Sequence, residues 1–255
     1  MAFERVPTEG VGDFQRRDTQ HADPAHRPTQ EQYKRYIWLV QLFRGLGWDN
    51  TKLHDASPFR IVDPGFNAIL LRSAMDLADL AEEVGDTGLA RAQRAQAAQG
   101  LAALETLWSD DRQQYLCYDR VTKALIDSPS VGGLIPAFAP IAPPRAAAIA
   151  AHIDALGERV RYLIPSHDPD APGYDSARYW RGPAWLIVNY MVADGLERDG
   201  HIATAARIVA DSLKLIEVGG FSEYFVPMTG APCGGPAFTW TAAMVLEFLN
   251  RDAVG

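Results

Sequence analysis

Apolar residues recur with a helical period along most of this chain. In TQEQYKRYIWLVQLFRGLG, residues 29–47, one side of a helix would collect Tyr33, Ile37, Val40 and Leu42 or Phe43. Such spacing is typical of an amphipathic helix, and Thr29 stands where an N-cap residue accepts the first free backbone N–H groups. The pattern predicts a first helix that begins after Thr29 and ends at the glycine-containing turn GLG.

The next apolar segments predict an antiparallel helical hairpin. In GFNAILLRSAMDLADLAEEVGD a wide apolar stripe is formed by Ile69, Leu70, Ala74, Leu77 and Leu80 or Ala81. Gly85 supplies a helix stop, and Thr87 is placed to cap the helix that follows. A polar and aromatic loop, SDDRQQYLCYDRVTKALIDSPS, comes next and is expected to lie outside the core.

The same order of elements returns later in the chain. GPAWLIVNYMVADGLERDGHIATAARIVADSLKLIEVGG predicts a helix, a turn and a helix, and the aromatic loop FSEYFVPMTGAPCGGPAF follows before a last helix. With one further helix between the two hairpins, the pattern predicts about seven helices and no strand series, hence an all-α fold. Loops that bring aromatic and acidic residues to one rim are typical of a helical toroid, although a helical repeat scaffold fits the same pattern.

Composition narrows the classes of partner. The 255 residues are expected to form one domain over 1–255, with 1–28 as an extended segment that leads into the first helix. A net charge of -8 with scattered basic residues argues against nucleic acid. No apolar run is long enough for a bilayer and no signal pattern is present, so a cytoplasmic protein without a membrane partner is expected. Cys117 and Cys233 are expected as free thiols, and neither a metal nor a cofactor is predicted.

Glu223 is the leading candidate for catalysis. It stands in GGFSEYFVPMTG between Phe221 and the pair Tyr224 and Phe225, after two glycines and before a proline, which indicates a rigid loop. Desolvation by aromatic walls tends to raise the pKa of a carboxyl group, which suits general acid or base catalysis. Aromatic faces also suit stacking against a sugar ring. The alternative is a structural glutamate that caps the next helix or pairs with an arginine.

A second group of candidates lies in YWRGPAWLIVNYMVADGL. Tyr179, Trp180, Arg181 and Trp185 are predicted at the beginning of a helix, on a rim that faces a cleft. A guanidinium at the positive end of a helix dipole requires a compensating group, so Arg181 is expected to have a carboxylate partner, with an internal one favoured. Asp49, in GLGWDN, is a second carboxylate candidate, with an ordinary turn at a helix end as the alternative.

Two long motifs resemble a known enzyme family. YWRGPAWLIVNYMVADGL and GFSEYFVPMTGAPCGGPAFTWTAAMVLEFL are similar to the C-terminal motifs of inverting glycoside hydrolases of family 63, in clan G, which have an (α/α)6 barrel. FQRRDTQHADPAHRPTQEQYKRYIWLVQLFRGLGWD and DPGFNAILLRSAMDLADLAE resemble the mannosylglycerate and glucosylglycerate hydrolases of that family. The resemblance covers most of the chain. It implies an incomplete toroid, because about seven helices do not close a barrel of twelve.

The resemblance also implies roles for single residues. Glu223, in the EYF motif, would be the general base that activates water, while Tyr179 and Trp180, in YWRGP, would line the sugar site. Arg17, in FQRRDTQHAD, belongs to a segment that in this subgroup approaches the carboxylate end of the substrate. The same motifs contribute further expected substrate contacts at Arg181, Trp185, Tyr224 and Trp240.

The proton donor of the family has no counterpart at its expected place. In the family it is an aspartate in an Asp-Asn-Ser-Pro segment before the RPT helix, and no such segment precedes Arg27 in this sequence. GWDNTKLHD looks like that signature but follows the helix. The expectation is therefore the C-terminal part of a hydrolase for a small α-glycoside such as glucosylglycerate or mannosylglycerate. By itself it is expected to be inactive, and to need the missing N-terminal part or to self-associate.

Two alternatives stay open. The chain could be a catalytically inactive helical domain that binds a sugar. It could also belong to an α-glucosidase or trehalase-like enzyme in which Asp49 serves as the acid. A glycerate-type substrate needs an arginine near its carboxylate, whereas a neutral disaccharide does not.

Overall fold

The structure, a computed structural model, describes residues 2–251 and is mostly helical. Its α-helices are α1 (Gln30–Gly45), α2 (Asn50–Ala56), α3 (Pro64–Glu83), α4 (Thr87–Glu105), α5 (Pro143–Leu156), α6 (Leu186–Arg198), α7 (Ile202–Gly219) and α8 (Thr239–Arg251). All of these except α2 correspond to predicted helices. The short α2 escaped prediction because its seven residues, NTKLHDA, carry too few apolar positions to show a period.

The helix ends follow the expected capping chemistry with one correction. The Thr29 hydroxyl accepts the Gln32 N–H at 3.2 Å, and the Gln32 side chain accepts the Thr29 N–H at 2.8 Å, which forms a capping box. The assignment of Thr87 as an N-cap was wrong. Asp86 caps α4, because its carboxylate accepts the Leu89 N–H at 2.9 Å, and Thr87 is the first helical residue.

Seven two-residue strands form three small antiparallel sheets. β1 (Ile61–Val62) pairs with β4 (Tyr118–Asp119), which pairs with β5 (Ala124–Leu125); β2 (Trp108–Ser109) pairs with β3 (Gln114–Tyr115); and β6 (Tyr224–Phe225) pairs with β7 (Pro232–Cys233). The first aromatic loop was expected outside the core, but Tyr115 and Leu116 are buried. Hairpin pairing satisfies the backbone polar groups of such a loop, so its apolar side chains can be buried.

The helices pack mainly as two hairpins, α3 with α4 and α6 with α7. The largest buried cluster lies between these hairpins and α5, and its fully buried side chains include Ile149, Ile153, Leu163, Val192, Leu196 and Ile208. Gly195 lets α6 pack directly on the turn Ile135–Phe138, because a Cβ atom there would overlap the carbonyl of Ala137. None of the helices in the described range is long and apolar enough to cross a membrane.

The face of α3 that was expected to be buried is mostly exposed. Its core-facing side is instead made of small residues and one leucine, Ala68, Leu71, Ala74, Ala78 and Ala81. We call the exposed residues the apolar stripe: Phe66, Leu70, Leu77, Leu80 and Val84, which are 41% to 82% exposed. The buried side is rotated by roughly a quarter-turn from the apolar stripe. Its alanines allow α4 to approach closely. Helix α1 is similar in that none of its residues is buried.

The segment before α1 carries three short 3-10 turns, Ala2–Arg5, Asp18–Gln20 and Pro24–His26. Its first turn is attached to the small sheet by an ion pair in which Arg5 Nη1 lies 2.7 Å from Asp119 Oδ2. The hydrogen bond from Arg5 is the main reason that the pKa of Asp119 is lowered to about 2. This contact between residues distant in sequence attaches the beginning of the segment before α1 to the rest of the fold.

A buried asparagine connects the beginning of α6 with its neighbours. Asn189 is fully buried, and its Oδ1 atom accepts the Ile164 N–H at 3.1 Å. Its Nδ2 atom donates to the Leu163 carbonyl and to the Ser212 hydroxyl, each at 2.8 Å. All hydrogen-bonding groups of this side chain are therefore satisfied between the loop before α6 and helix α7.

Replacing Asn189 by leucine will destabilise the chain by about 2 to 4 kcal/mol, because the Ile164 N–H and the Leu163 carbonyl lose their buried partner and the Ser212 hydroxyl loses a donor. Urea denaturation followed by circular dichroism measures the change. Asn250→Leu, at an exposed position of α8, is the control and should change the free energy of unfolding by less than about 0.5 kcal/mol. Equal effects of the two substitutions would show that the Asn189 network contributes no stability.

Candidate active site

Glu223 lies immediately before β6, on a hairpin whose backbone is fixed from several sides. Its N–H donates to the Gly235 carbonyl at 3.0 Å. The preceding carbonyl, of Ser222, accepts the Thr241 hydroxyl at 2.7 Å in the core. Phe225 is bonded through both backbone groups to Ala184, so the hairpin is attached to the segment that begins α6. The rigid aromatic loop expected from the sequence is thus held by backbone pairing.

Arg27 binds the carboxylate of Glu223 through two hydrogen bonds. Arg27 Nη1 donates to Oε1 at 3.0 Å and Nη2 donates to Oε2 at 2.7 Å, while the Gly235 N–H donates to Oε2 at 3.1 Å. The side chains of Arg27 and Glu223 are only 12% and 7% exposed. Burial by itself would lower the pKa of Arg27, but its hydrogen bonds to Glu223 and the negative charge there raise it. The arginine pairing considered for Glu223 is therefore present.

Gly234 makes room for this carboxylate. Its φ angle is +72°, in the left-handed region that favours glycine. A Cβ atom at this position would overlap Glu223 Oε2 and approach the Glu223 Cβ atom to 2.7 Å. The next glycine, Gly235, has no such constraint, since a Cβ atom there would meet nothing within 4 Å.

Beside Glu223 stands a stack of three aromatic rings. The rings of Trp180 and Trp185 are parallel within 10° at a centroid distance of 4.0 Å, and Trp185 stacks on Tyr224 at 4.5 Å. Tyr179 meets all three rings edge-on, at 5.3 to 5.9 Å. Trp185 and Tyr224 are buried, whereas Trp180, at the outer end, is 41% exposed. The stack therefore presents an aromatic ring to the outside next to the buried carboxylate.

The prediction for Arg181 was wrong in two respects. Tyr179–Arg181 form a separate 3-10 turn, and α6 begins only at Leu186 with Trp185 as its N-cap residue. Arg181 therefore does not face the positive end of the helix dipole. Its Nε atom donates to the Gly173 carbonyl at 2.8 Å, and within residues 2–251 no carboxylate forms an ion pair with it. A carbonyl compensates this guanidinium.

A cavity of about 260 Å³ lies against Arg27 and Tyr179. Its other lining residues are Asp18, Pro28, Tyr33 and Tyr36. Arg16 binds Asp18 through both carboxylate oxygens, at 3.1 and 2.6 Å, and lies over the Tyr33 ring at 4.1 Å. The hydrogen bonds from Arg16 lower the pKa of Asp18. The cavity is therefore lined by three tyrosines and by one member of each of two arginine-carboxylate pairs, Asp18 and Arg27.

Three predicted residues lie apart from this group. Arg17 is exposed at the N-cap position of a 3-10 turn, and it is Arg16 that pairs at the cavity. Asp49 is the N-cap of α2 and accepts the backbone N–H groups of Thr51 and Lys52. Trp240 packs against the Phe238 ring at 5.9 Å, and no ring contact joins it to the stack in the described part of the chain.

Sequence reasoning missed Arg27, Gly234 and Arg16. Arg27 gave no usable signal, because an arginine 196 residues before Glu223 in sequence could pair anywhere. Gly234 could have been noticed as one of two glycines that face Glu223 across a hairpin, since adjacent glycines often mark a close approach of backbone to a functional group. Arg16 stands directly before Arg17 in the same motif, and the motif alone does not distinguish the two arginines.

Helical hairpins whose loops place a buried carboxylate beside stacked aromatic rings define this domain as part of an (α/α)-barrel of the glycoside hydrolase type. The comparison with known families agrees. A family model described as the mannosylglycerate hydrolase MGH1-like glycoside hydrolase domain matches residues 2–241. The chain belongs to this family, within glycoside hydrolase family 63.

Individual relatives show the same relationship and a difference in length. The mannosylglycerate hydrolase of Thermus thermophilus is 41% identical over 243 residues, covering 95% of this chain and 58% of the relative. Mannosylglycerate hydrolase MGH2 of Selaginella moellendorffii is 39% identical, with 98% and 52% covered. A solved Thermus thermophilus GH63 mannosylglycerate hydrolase in complex with Tris and D-glycerate superposes with a TM-score of 0.93 at 40% identity, over 98% of this chain and 60% of that one. This chain thus spans little more than half the length of its curated relatives.

Replacing Gly234 by alanine will destabilise the hairpin by about 1 to 3 kcal/mol, because the new Cβ atom displaces the Glu223 carboxylate and φ is unfavourable for alanine. Gly235→Ala is the matched control, and it should cost less than about 0.5 kcal/mol, since its Cβ atom meets no neighbour. Urea denaturation of both variants measures the difference. Similar stability of the two variants would contradict the steric role of Gly234.

Proposed function

We propose that this chain is the C-terminal part of an inverting glycoside hydrolase for a glycerate glycoside, mannosylglycerate or glucosylglycerate, with Glu223 as general base. The observation that carries the proposal is the buried Glu223 carboxylate beside a stack of aromatic rings whose outer member, Trp180, is exposed. In this mechanism the base removes a proton from a water molecule, which attacks the anomeric carbon as an acid protonates the glycosidic oxygen on the opposite side. The anomeric configuration is inverted.

The aromatic stack supports a sugar site. A pyranose ring presents C–H groups on its faces, and the flat face of an exposed tryptophan is a complementary surface for them. Trp180 is held in one orientation because Trp185 stacks beneath it, and Trp185 is itself fixed by its Nε1–H bond to the Tyr179 carbonyl at 3.2 Å. Trp180 and Tyr179 are therefore proposed sugar contacts. Trp185 and Tyr224 act through them, because both are buried.

The acceptor side is proposed from the relatives and from Arg17. The relatives are described as mannosylglycerate hydrolases, and one was solved with D-glycerate bound. Arg17 is exposed, and no ion pair of its side chain exists within the described residues, so its guanidinium is available to a carboxylate. It precedes Asp18, which lines the cavity beside Tyr179.

The general acid is proposed to lie outside residues 2–251. A proton donor must be protonated at the working pH, but Asp18, the carboxyl group in the cavity, has its pKa lowered by Arg16. Asp49 accepts two backbone N–H groups at the beginning of α2 and so has a capping role. The lengths of the relatives support a further portion of polypeptide that carries the acid.

A second candidate function is sugar binding without catalysis. It is favoured by the pairing of Glu223 with Arg27, because an arginine bound through both carboxylate oxygens is also the arrangement of a structural glutamate. In that case the aromatic stack would bind a sugar in the same way, binding would survive the loss of the Glu223 charge, and no hydrolysis would occur even after the additional portion is supplied.

The chain by itself will hydrolyse mannosylglycerate and glucosylglycerate slowly or not at all. Co-expression with the part of the Thermus thermophilus enzyme that this chain does not match is expected to restore hydrolysis, since it supplies the acid. In the restored enzyme Glu223→Gln will lower kcat by a factor on the order of 10² to 10⁴, because general base assistance is lost. Proton NMR of the released sugar is expected to show inversion at the anomeric carbon.

Glu217→Gln is the control for this experiment. Glu217 lies on α7, is largely exposed, and pairs only with Lys214, so its loss should leave kcat unchanged. If sugar binding survived Glu223→Gln and the completed protein showed no hydrolysis, the non-catalytic function would be favoured. Full turnover by Glu223→Gln would contradict the role of Glu223 as general base. Ordinary turnover by the chain alone would contradict the proposed location of the acid.

We further propose that the apolar stripe of α3 is covered by amphipathic helices of this additional portion. The stripe presents five large apolar side chains on one side of a helix, beside the small residues that face the core. Exposed apolar surfaces of this size mark interaction sites in soluble proteins. In the absence of the additional portion, the same surface would favour self-association.

The double substitution Leu70→Glu and Leu77→Glu will therefore shift the isolated chain toward the monomer, because the new charges oppose burial of the stripe. Light scattering coupled to size-exclusion chromatography measures the mass. Gln96→Glu with Gln99→Glu, on the exposed surface of α4, adds the same charge away from the stripe and should leave self-association unchanged. A wild-type chain that is already monomeric at all concentrations would contradict this proposal.

A further inference from the structure

We infer that Arg27 is a positioning residue for Glu223, and that the geometry of the pair makes Oε1 the oxygen that accepts the proton from water. The inference rests on the proposed role of Glu223 as general base. It concerns an arginine that the sequence motifs did not single out. Its basis is the count of hydrogen bonds on the two carboxylate oxygens and the way in which Arg27 is held.

The bonds to the carboxylate are unequal on the two oxygens. Oε2 accepts from Arg27 Nη2 and from the Gly235 N–H, whereas Oε1 accepts from Arg27 Nη1 alone. A carboxylate has about four acceptor sites, two on each oxygen. Within the described residues, Oε2 is therefore filled, and Oε1 keeps one free acceptor site. A water molecule that is to lose its proton to Glu223 must use Oε1.

The bidentate contact also fixes the plane of the carboxylate. The guanidinium is planar, and two parallel N–H bonds align the two groups edge to edge. A single bond, as lysine would form, leaves the carboxylate free to rotate about its terminal torsion. With Arg27 and the Gly235 N–H in place, the free site of Oε1 keeps one direction. This is the preorganisation that a general base requires.

Arg27 is itself held by the loops of the site. The neighbouring carbonyls of Ala25 and His26 accept from Arg178 Nε at 3.2 Å and from the Tyr224 hydroxyl at 2.8 Å. The Arg27 guanidinium lies 5.5 Å from the centre of the Tyr179 ring. The segment that carries Arg27 is thus bonded to the same aromatic residues that form the sugar site.

The charges around the pair leave Arg27 as the cation that acts on Glu223. The other titratable groups near it are Tyr179 and Tyr224 and, around the adjoining cavity, Asp18, Arg16 and Tyr33, with Cys233 and His26 behind Tyr224. Burial raises the pKa of Tyr179, Tyr224, Tyr33 and Cys233, so these groups stay neutral near pH 7. Arg16 is neutralised by Asp18. Replacing Arg27 therefore removes the positive charge that favours the ionised carboxylate.

A double-mutant cycle on the chain as it stands tests the contact between the two side chains. Urea denaturation compares Arg27→Gln, Glu223→Gln and the double variant with the wild type. Arg27→Gln should lower the urea midpoint, because it leaves a buried carboxylate without its cation. The double variant should be less destabilised than the sum of the two single effects.

Arg120→Gln is the control, because it removes an exposed arginine in the turn between β4 and β5. Its effect on the urea midpoint should simply add to that of Glu223→Gln. If the effects of Arg27→Gln and Glu223→Gln were additive, or if Arg120→Gln coupled to Glu223→Gln as strongly, the inference would be overturned.

Kinetics of the restored enzyme test the positioning part. Arg27→Lys is expected to lower kcat by about tenfold or more with little change in KM, because the charge is kept and the fixed direction of Oε1 is lost. An unchanged kcat in Arg27→Lys would overturn the inference. The proposed function is tested separately, by Glu223→Gln. If Glu223→Gln were fully active although the cycle showed that the two side chains are coupled, the proposed function would fail, and the pair would be structural.

Discussion

The ion pair between Arg27 and Glu223 joins two residues that are 196 positions apart in sequence, and both are nearly buried. A buried carboxylate is costly unless hydrogen bonds and an opposite charge compensate it, so the surrounding structure has to deliver these partners together. The hairpin of β6 and β7 supplies the Gly235 N–H and the space at Gly234. The segment before α1 supplies the guanidinium. Both parts must be folded before the carboxylate is stable in its place.

The aromatic stack depends on the same arrangement. Tyr224 follows Glu223 in sequence and reaches the segment of Arg27 through its hydroxyl, while Trp185 and Trp180 extend the stack toward solvent. Its inner rings are buried against the helical core and its outer ring is exposed. A polar site of one carboxylate is thereby connected to an exposed aromatic surface, the one proposed to bind a sugar ring. The loops therefore supply the chemical groups of the site, whereas the helices hold the loops in position.

The helical scaffold is well packed on one side and open on the other. Small residues on α3 allow close contact with α4, and larger residues fill the space between the hairpins and α5. The apolar stripe of α3 remains exposed within residues 2–251, and none of the residues of α1 is fully buried there. The length of the relatives is consistent with this asymmetry, since this chain spans about 58% of the Thermus thermophilus enzyme.

The sequence by itself determined the helical hairpins, the N-cap at Thr29 and the family, because periodicity, caps and continuous motifs are local properties. It also singled out Glu223 and the aromatic residues of YWRGP. It could not decide which side of α3 faces the core, since a stripe of leucines and a stripe of alanines both keep a helical period. The partner of Glu223, the carbonyl partner of Arg181 and the burial of Tyr115 were decided by tertiary structure. Each depends on a contact between distant segments, and local spacing carries no information about such contacts.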